Sequence, residues 1–521
     1  MARKPAAERR NEVKAGIGND PAFAYSALPG VADEMVDNTG AVRPVWQNLL
    51  SALSRMSEQE LMERFARADR YLRDAGVFYR AYGATGVSER EWPISHIPVL
   101  IDEREWQTLS EGLRQRADLL EEVIADIYGD NRLVNEGLLP PALIAGNPEF
   151  LRPLVGVTPA NGHYLHFLAF EIGRGPDGNW WVLADRTQAP SGAGFALETR
   201  VATTRAFSDI YAETRVHRLA SFFGAFRDAL LGDKHGTEGR VAVLTPGPAN
   251  ETYYEHAYIA RYLGFMLLEG EDITVVNDQL MVRTVAGLRP ISVLWRRLDA
   301  SYADPLELNQ HSHIGTPGLV EALRAQTVSI VNALGSGILE TRALLAFMPT
   351  ICRHLRGEEL KLPSIATWWC GQKSERQHVA TNIEKMVIGP AYSRMPFFDD
   401  SGQSVLGSTL RSTARDSIAD WLATDGHKLV GQEVVTLSTT PAWVNGKLIP
   451  RPMSLRVFAA RTDNGWQIMP GGFARIGSGD DVAAIAMQAG GSAADVWIVS
   501  DKPVEAHTLL PAEETFTRNM P

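Results

Sequence analysis

The chain has 521 residues, 45% apolar and 22% charged, enough for a large core divided into about two to four structural units. A net charge of −11 weighs against bulk nucleic-acid binding. The only cysteines, Cys352 and Cys370, supply neither a disulfide framework nor a four-cysteine zinc site, and no apolar run approaches the roughly 18 residues of a membrane span.

Residues 1–20 lack the apolar core of a signal peptide and read as a flexible tail, which predicts a cytoplasmic protein. Residues 21–145 read mainly as helices. Leu49, Leu50, Leu53 and Met56 recur at helical spacing. Ser57, with Glu60 three residues on, is a capping-box start for a stripe of Leu61, Phe65, Ala68 and Leu72. A long helix is expected over about 103–128, with Leu113, Leu120, Val123, Ile124 and Ile127 inward and Gly129 as its stop.

From about residue 150 short apolar runs alternate with glycine and proline. His163–Phe170 and Trp180–Leu183 read as strands around a turn at Gly173–Gly178, a hairpin able to bring Glu171 and Asp185 together. The second strand opens the segment LADRTQAPSGAGFALETR, which holds Asp185, Arg186, a glycine-rich loop, Glu198 and Arg200. Two carboxylates and two guanidiniums around such a loop suit a metal and a phosphate at a strand end. Glu171, Asp185 and Glu198 supply the hard oxygens that Mg²⁺ takes, with surface charge on a hairpin as the plainer reading.

Between 241 and 340 strands alternate with glycine loops and helices. Val241–Leu244, Ser292–Trp295 and Thr327–Ala333 read as strands of a parallel sheet. Arg296 and Arg297 close the second of these. Arg297 is a candidate clamp for phosphate or carboxylate, or else the partner of nearby Asp299. The loops lack the G-x-G-x-x-G spacing of a nicotinamide site.

The remainder, 361–521, is mixed. Gln432 and Glu433 interrupt an apolar strand, either as an adenine-reading edge or as an exposed one. Arg456 alternates with Leu455 and Val457 and so faces a cleft or solvent. Cys370, after Trp368 and Trp369, reads as a buried small hydrophobe before it reads as a nucleophile. His163 and His166 sit three apart on a presumed strand and make a poor metal pair, and neither H-E-x-x-H nor G-x-S-x-G occurs.

Taken in order, LADRTQAPSGAGFALETR, RRLDASYADPLEL, NALGSGILE, LPSIATWWCG, GQEVVTLSTTP and LRVFAARTDNGWQIMPGGFARIG resemble the circularly permuted ATP-grasp proteins of type 2, relatives of glutathionylspermidine synthase. The resemblance spans about residues 25–505. It implies an α+β fold, a circularly permuted ATP-grasp with a helical N-terminal extension. Residues 146–240 would form the permuted metal-binding part, 241–360 an α/β pre-ATP-grasp-like part, and 361–521 the remaining lobes with the nucleotide hinge. It implies an ATP- and Mg²⁺-dependent carboxylate–amine ligase that acts through an acyl phosphate on a peptide or amino-acid-like substrate, a small molecule or peptide as partner. Metal would fall to Glu171, Asp185 and Glu198, catalytic contacts to Arg186, Arg200 and Arg297, and nucleotide contacts to Gln432, Glu433, Arg456 and Arg475. The family's habit of occurring beside helical partner domains and transglutaminase-like proteins implies a helical protein partner.

The departures are specific. Relatives read V-I-K-P-A where this chain has VIGPAY, so Gly389 replaces the phosphate lysine. Lys385 lies about 13 Å away by strand rise. Relatives read S-K-D-x-W where Ala494 stands, and the E-x-N metal pair of glutathionylspermidine synthase falls on Ala184 and Arg186. No glycine-rich flap is visible in AYSRMPFFDDSG. These losses imply an alternative: an impaired relative that keeps the fold and binds nucleotide or a protein partner. A structural protein with an empty cleft is a third reading.

Overall fold

In a computed structural model the described residues are 15–16, 24–83, 86–233, 239–394, 405–406, 420–479 and 491–505. The expected tail therefore lies outside them except for 15–16. So does most of AYSRMPFFDDSG, since 395–404 are not described.

The backbone of the molecule is one large sheet. Its strands run Ile94–Asp102, Ser492–Val499, Phe473–Ile476, Lys447–Thr462, Phe167–Arg174 and Trp180–Arg186, with Thr439–Val444 and Gly465–Ile468 pairing the two ends of the long strand. Alternation along these strands builds two cores. Leu168, Phe170, Ile172, Leu455 and Val457 turn to one side, where Leu113, Leu120, Val123, Ile124 and Ile127 of helix Glu103–Tyr128 cover them. Phe167, Ala169, Phe458 and Phe473 turn to the other, beneath helices Glu58–Asp74 and Ala193–Ala206. The Ser57 side chain accepts the Glu60 N–H at 3.2 Å, the expected N-cap.

A second sheet has a parallel centre in the order Met266–Leu268, Arg240–Leu244, Gly287–Arg296, Ser329–Val331. A third is antiparallel: Thr367–Trp369, Leu429–Glu433, Met386–Pro390 and Val405–Leu406. Residues 363–365 join the third sheet to the first, because Val182 N–H donates to Pro363 O (2.8 Å) and Ile365 N–H to Val182 O (2.9 Å).

One expectation changes. The mainly helical N-terminal region also contains the hairpin Phe78–Gly83/Gly86–Glu91 and the strand Ile94–Asp102, which enters the large sheet parallel to Ser492–Val499. The segment after the glycine loop is a buried helix from Ala193, so Glu198 and Arg200 stand on a rigid element. Gly192 opens it at φ 118°, where a Cβ would lie 2.6 Å from the Phe473 ring. No described helix is long and apolar enough to cross a membrane.

Candidate functional site: an arginine cluster on the large sheet

Four neighbouring strands place four charged side chains on one face. Glu171 pairs across the sheet with Arg456, and Arg475 lies opposite Ser454, two residues along the same face. Arg186 comes from the next strand, opposite Ala169. The Glu171 carboxylate accepts from Arg456 Nη2 at 2.5 Å, Arg186 Nε at 3.1 Å and Arg475 Nη1 at 3.5 Å. Burial alone would raise this carboxyl, but Arg475, Arg186 and Arg456 hold it well below the usual range. Burial, then the like charge of Arg456, pushes Arg475 down to about 10, so it stays a cation at neutral pH.

The positive charge is in surplus. Glu340 approaches Arg186 only at 3.9 Å, and its Oε1 is occupied by the Thr187 and Gln188 N–H groups at 2.7 and 2.6 Å. Even with Glu340 counted, three cations face two anions. The Nε atoms of Arg456 and Arg475 are buried without a hydrogen-bond partner, while the four clustered side chains keep 10–16% exposure through their other atoms. Unused guanidinium donors and net positive charge fit an oxyanion.

Asp185 points to the opposite face, beside Phe170, where Arg116 Nε and Nη2 clasp it at 2.6 and 2.7 Å. Both side chains are 1% exposed. Glu198 is held by the Tyr71 and Tyr254 hydroxyls at 2.7 and 3.1 Å. The three expected metal carboxylates are therefore not brought together, and no group of three or more His, Cys, Asp or Glu among the described residues converges on a metal position. With Glu171 ringed by guanidiniums, these donors do not fit a protein-held Mg²⁺.

Arg200 is likewise occupied. Its Nε meets both Asp495 oxygens at 2.9 and 2.8 Å, Nη1 donates to His217 O at 2.9 Å, and Nη2 to Val496 O at 2.6 Å. Arg297 does not pair with Asp299, which Arg394 takes at 3.0 Å. Instead Arg297 Nη2 donates to Pro190 O and Ser191 Oγ at 2.9 and 3.1 Å. Ser191 O in turn accepts from Arg456 Nη1 at 2.9 Å, so the loop links Arg297 to the cluster.

Gln432 and Glu433 lie on the third sheet. Gln432 is buried, donating to Thr367 Oγ1 at 2.8 Å, whereas Glu433 is exposed and its N–H donates to Ala366 O at 3.1 Å, next to the junction with the large sheet. Gly389 alternates with Met386 and Ile388, which pack into a small local core, so it shares the inner face with Val387 and Gln432. Lys385 is exposed in the turn Ile383–Lys385 that precedes this strand. Ala494 pairs with Ala474 on the Asp185 face, so a side chain there would enter the core rather than the cluster. Burial pushes the Cys370 thiol up to about 12, which leaves it a protonated core residue. His163 precedes the strand, and His166 bonds Asn161 at 3.1 Å.

Sequence reasoning missed Arg394, whose backbone carbonyl accepts from Arg186 and whose Nε meets Glu149 at 2.9 Å. It also missed Arg116, although a charge on the inward stripe between Leu113 and Leu120 signals a buried partner.

The family description "Circularly permuted ATP-grasp type 2" matches residues 98–477. This chain belongs to that family. An uncharacterized protein of Mycobacterium tuberculosis is 34% identical over 455 residues, covering 85% of this chain and 51% of its own length. The chain thus spans about half the length of the first curated relatives it matches. An uncharacterized Mycobacterium leprae protein is 31% identical over 474 residues, 90% of this chain and 82% of that one. Among solved structures, a glutathione synthetase-like effector from Globodera pallida aligns with TM-score 0.57 at 10% identity, covering 85% of this chain and 98% of the effector, a likeness of fold. The ATP-grasp family member described here is therefore an α+β protein whose charged residues fall into an open cluster and closed pairs.

Proposed function

We propose that this ATP-grasp protein is an ATP- and Mg²⁺-dependent carboxylate–amine ligase, with the arginine cluster receiving the nucleotide's phosphates. The reading rests on one observation: three guanidiniums share the Glu171 carboxylate, and two of them keep a buried Nε without a partner. Arg186, Arg456 and Arg475 would offset the charge that moves as the γ-phosphoryl passes from ATP to a substrate carboxylate. ADP leaves. The amine then attacks the acyl carbon, the new C–N bond forms as the C–O bond to phosphate breaks, phosphate leaves with that oxygen and the bonding pair, and the nitrogen gives up a proton to solvent. Magnesium would enter on the nucleotide's own phosphate oxygens, because the protein gathers no carboxylate set for it. Gln432 and Glu433, beside the sheet junction, are assigned to the adenine end.

A second reading, a weakened relative that binds nucleotide or a helical protein partner, draws support from Gly389. Gly389 stands where the phosphate lysine would be, and Lys385 is exposed in the turn that precedes its strand. Loss of such a donor costs about 3–4 kcal/mol of transition-state stabilisation. Phosphate release from Mg·ATP with a mixed pool of amines and carboxylates separates the two. Release above background supports the ligase; saturable binding with background release supports the weakened relative. Turnover gained by Gly389→Lys would assign the loss to that position.

A further inference from the structure

A segment from another sheet reaches the arginine cluster. After strand Met386–Pro390 the chain crosses from the third sheet to the first over residues 391–394. Three contacts hold the crossing. Ala391 N–H donates to Lys428 O at 2.7 Å, Ala391 O accepts from Ala343 N–H at 3.1 Å, and the Tyr392 hydroxyl donates to Ala142 O at 3.1 Å. Arg394 then meets Arg186, whose Nη1 donates to the Arg394 carbonyl. Glu340, 3.9 Å from the same Nη1, lies beyond a hydrogen bond.

The Arg394 guanidinium is engaged elsewhere. Its Nε meets Glu149 Oε1 at 2.9 Å and its Nη2 meets Asp299 Oδ2 at 3.0 Å. The other Glu149 oxygen accepts from Gln188 Nε2 at 3.3 Å. Burial pushes the Glu149 carboxyl up, Arg394 pulls it down, and Asp299 and Glu340 push it up again. Arg394 is therefore the cation that compensates the acids on this flank. It brings the cluster no charge of its own. What it brings is one neutral acceptor oxygen, seated on a guanidinium nitrogen that an anion would use.

We propose that Arg394 is an autoinhibitory plug on the arginine cluster: its carbonyl holds Arg186 Nη1 until an oxyanion displaces it, and the ion pairs to Glu149 and Asp299 set how firmly it holds. The inference deepens the phosphate reading of the cluster by adding its regulation, and rests on that reading for the identity of the anion. A phosphate oxygen is a charged acceptor and the carbonyl a neutral one, so the exchange favours phosphate. Apparent affinity is then the intrinsic affinity reduced by the fraction of molecules in which the plug has lifted. Arg394 is 29% exposed and Asp299 46%, so the plug lifts without opening either core.

The test is calorimetric titration of the full chain, wild type and Arg394→Ala, with inorganic diphosphate and with Mg·ATP. Alanine keeps the main-chain carbonyl and removes both ion pairs. Diphosphate is expected to bind Arg394→Ala about tenfold more tightly, the combined worth of two partly exposed ion pairs. Loss of a cation that only attracted the anion would weaken binding instead. Asp299→Asn should tighten diphosphate about threefold by itself and add nothing to Arg394→Ala, because the hold it loosens is already gone; independent charge effects would multiply. Hydrogen exchange of wild type supplies a reading free of any substitution: with saturating diphosphate the amides of residues 391–394 should exchange faster. Equal or weaker diphosphate binding by Arg394→Ala, or slower exchange, overturns the plug, while Mg·ATP binding by wild type would still uphold the nucleotide reading. Tighter diphosphate binding by the variant with no Mg·ATP binding to either protein sinks the nucleotide reading and leaves the plug. No binding of either probe to either protein overturns both.

Discussion

Residues 185 and 186 are neighbours on one strand, yet they do opposite work. Asp185 faces the core and is clasped one-to-one by Arg116, with both oxygens used and both side chains 1% exposed. Arg186 faces the other side and shares Glu171 with Arg456 and Arg475, where two buried Nε donors are left over and the side chains keep 10–16% exposure. Arg200 with Asp495 repeats the closed arrangement. Charge type does not separate a closed structural pair from a candidate site here; stoichiometry and unused hydrogen-bonding capacity do.

The closed pair is the place to break this contrast hardest. Arg116→Met leaves Asp185 buried and unpaired, and about 3–5 kcal/mol of stability should be lost in urea unfolding. Adding Asp185→Leu should recover much of that loss, because the two charges leave together.

The open cluster should respond with the ligand as much as with the fold. In Glu171→Gln three guanidiniums face one another without their shared anion. The ligand-free protein should lose about 1.5–3 kcal/mol, the worth of hydrogen bonds to a charged group, and inorganic phosphate should restore part of it. The pH dependence has a defined sign. The folded Glu171 carboxyl lies below its unfolded value, so its contribution is full above the unfolded value of about 4.3 and is lost as pH falls through the folded one. The stability difference between wild type and Glu171→Gln should therefore shrink in acid and stay flat above about pH 5.5.

A smaller effect is expected at Glu198. Tyr254→Phe removes one of its two hydroxyl donors, leaves Tyr71, and should cost about 1 kcal/mol. Arg475→Gln should cost least, with unfolding stability level with or above wild type, because Arg475 is itself crowded by Arg456 and Arg186.

Periodicity made much of this fold legible. The 103–128 helix appears as Glu103–Tyr128, the Ser57 cap forms, and the Trp180 strand pairs with its predicted neighbour. Strand Ile94–Asp102 escaped because it is buried along most of its length, so no alternation marks it. The arginines of the cluster were legible as residue types, and Arg456 by its alternation. Their partition was not. Whether Asp185 meets Arg116 or Arg186 depends on the face it takes across a register shift beside Glu171, and Arg200 on Asp495, 295 residues away. Such choices belong to strand register and long-range contact, which no local pattern encodes.

Calorimetric titration of Mg·ATP into wild type and Arg475→Gln tests the central claim most directly. Saturable binding to wild type, weakened about tenfold or more in a variant of undiminished stability, is the predicted result. Equal affinity in the two proteins, or no heat with wild type, would contradict the assignment of the cluster to nucleotide phosphate.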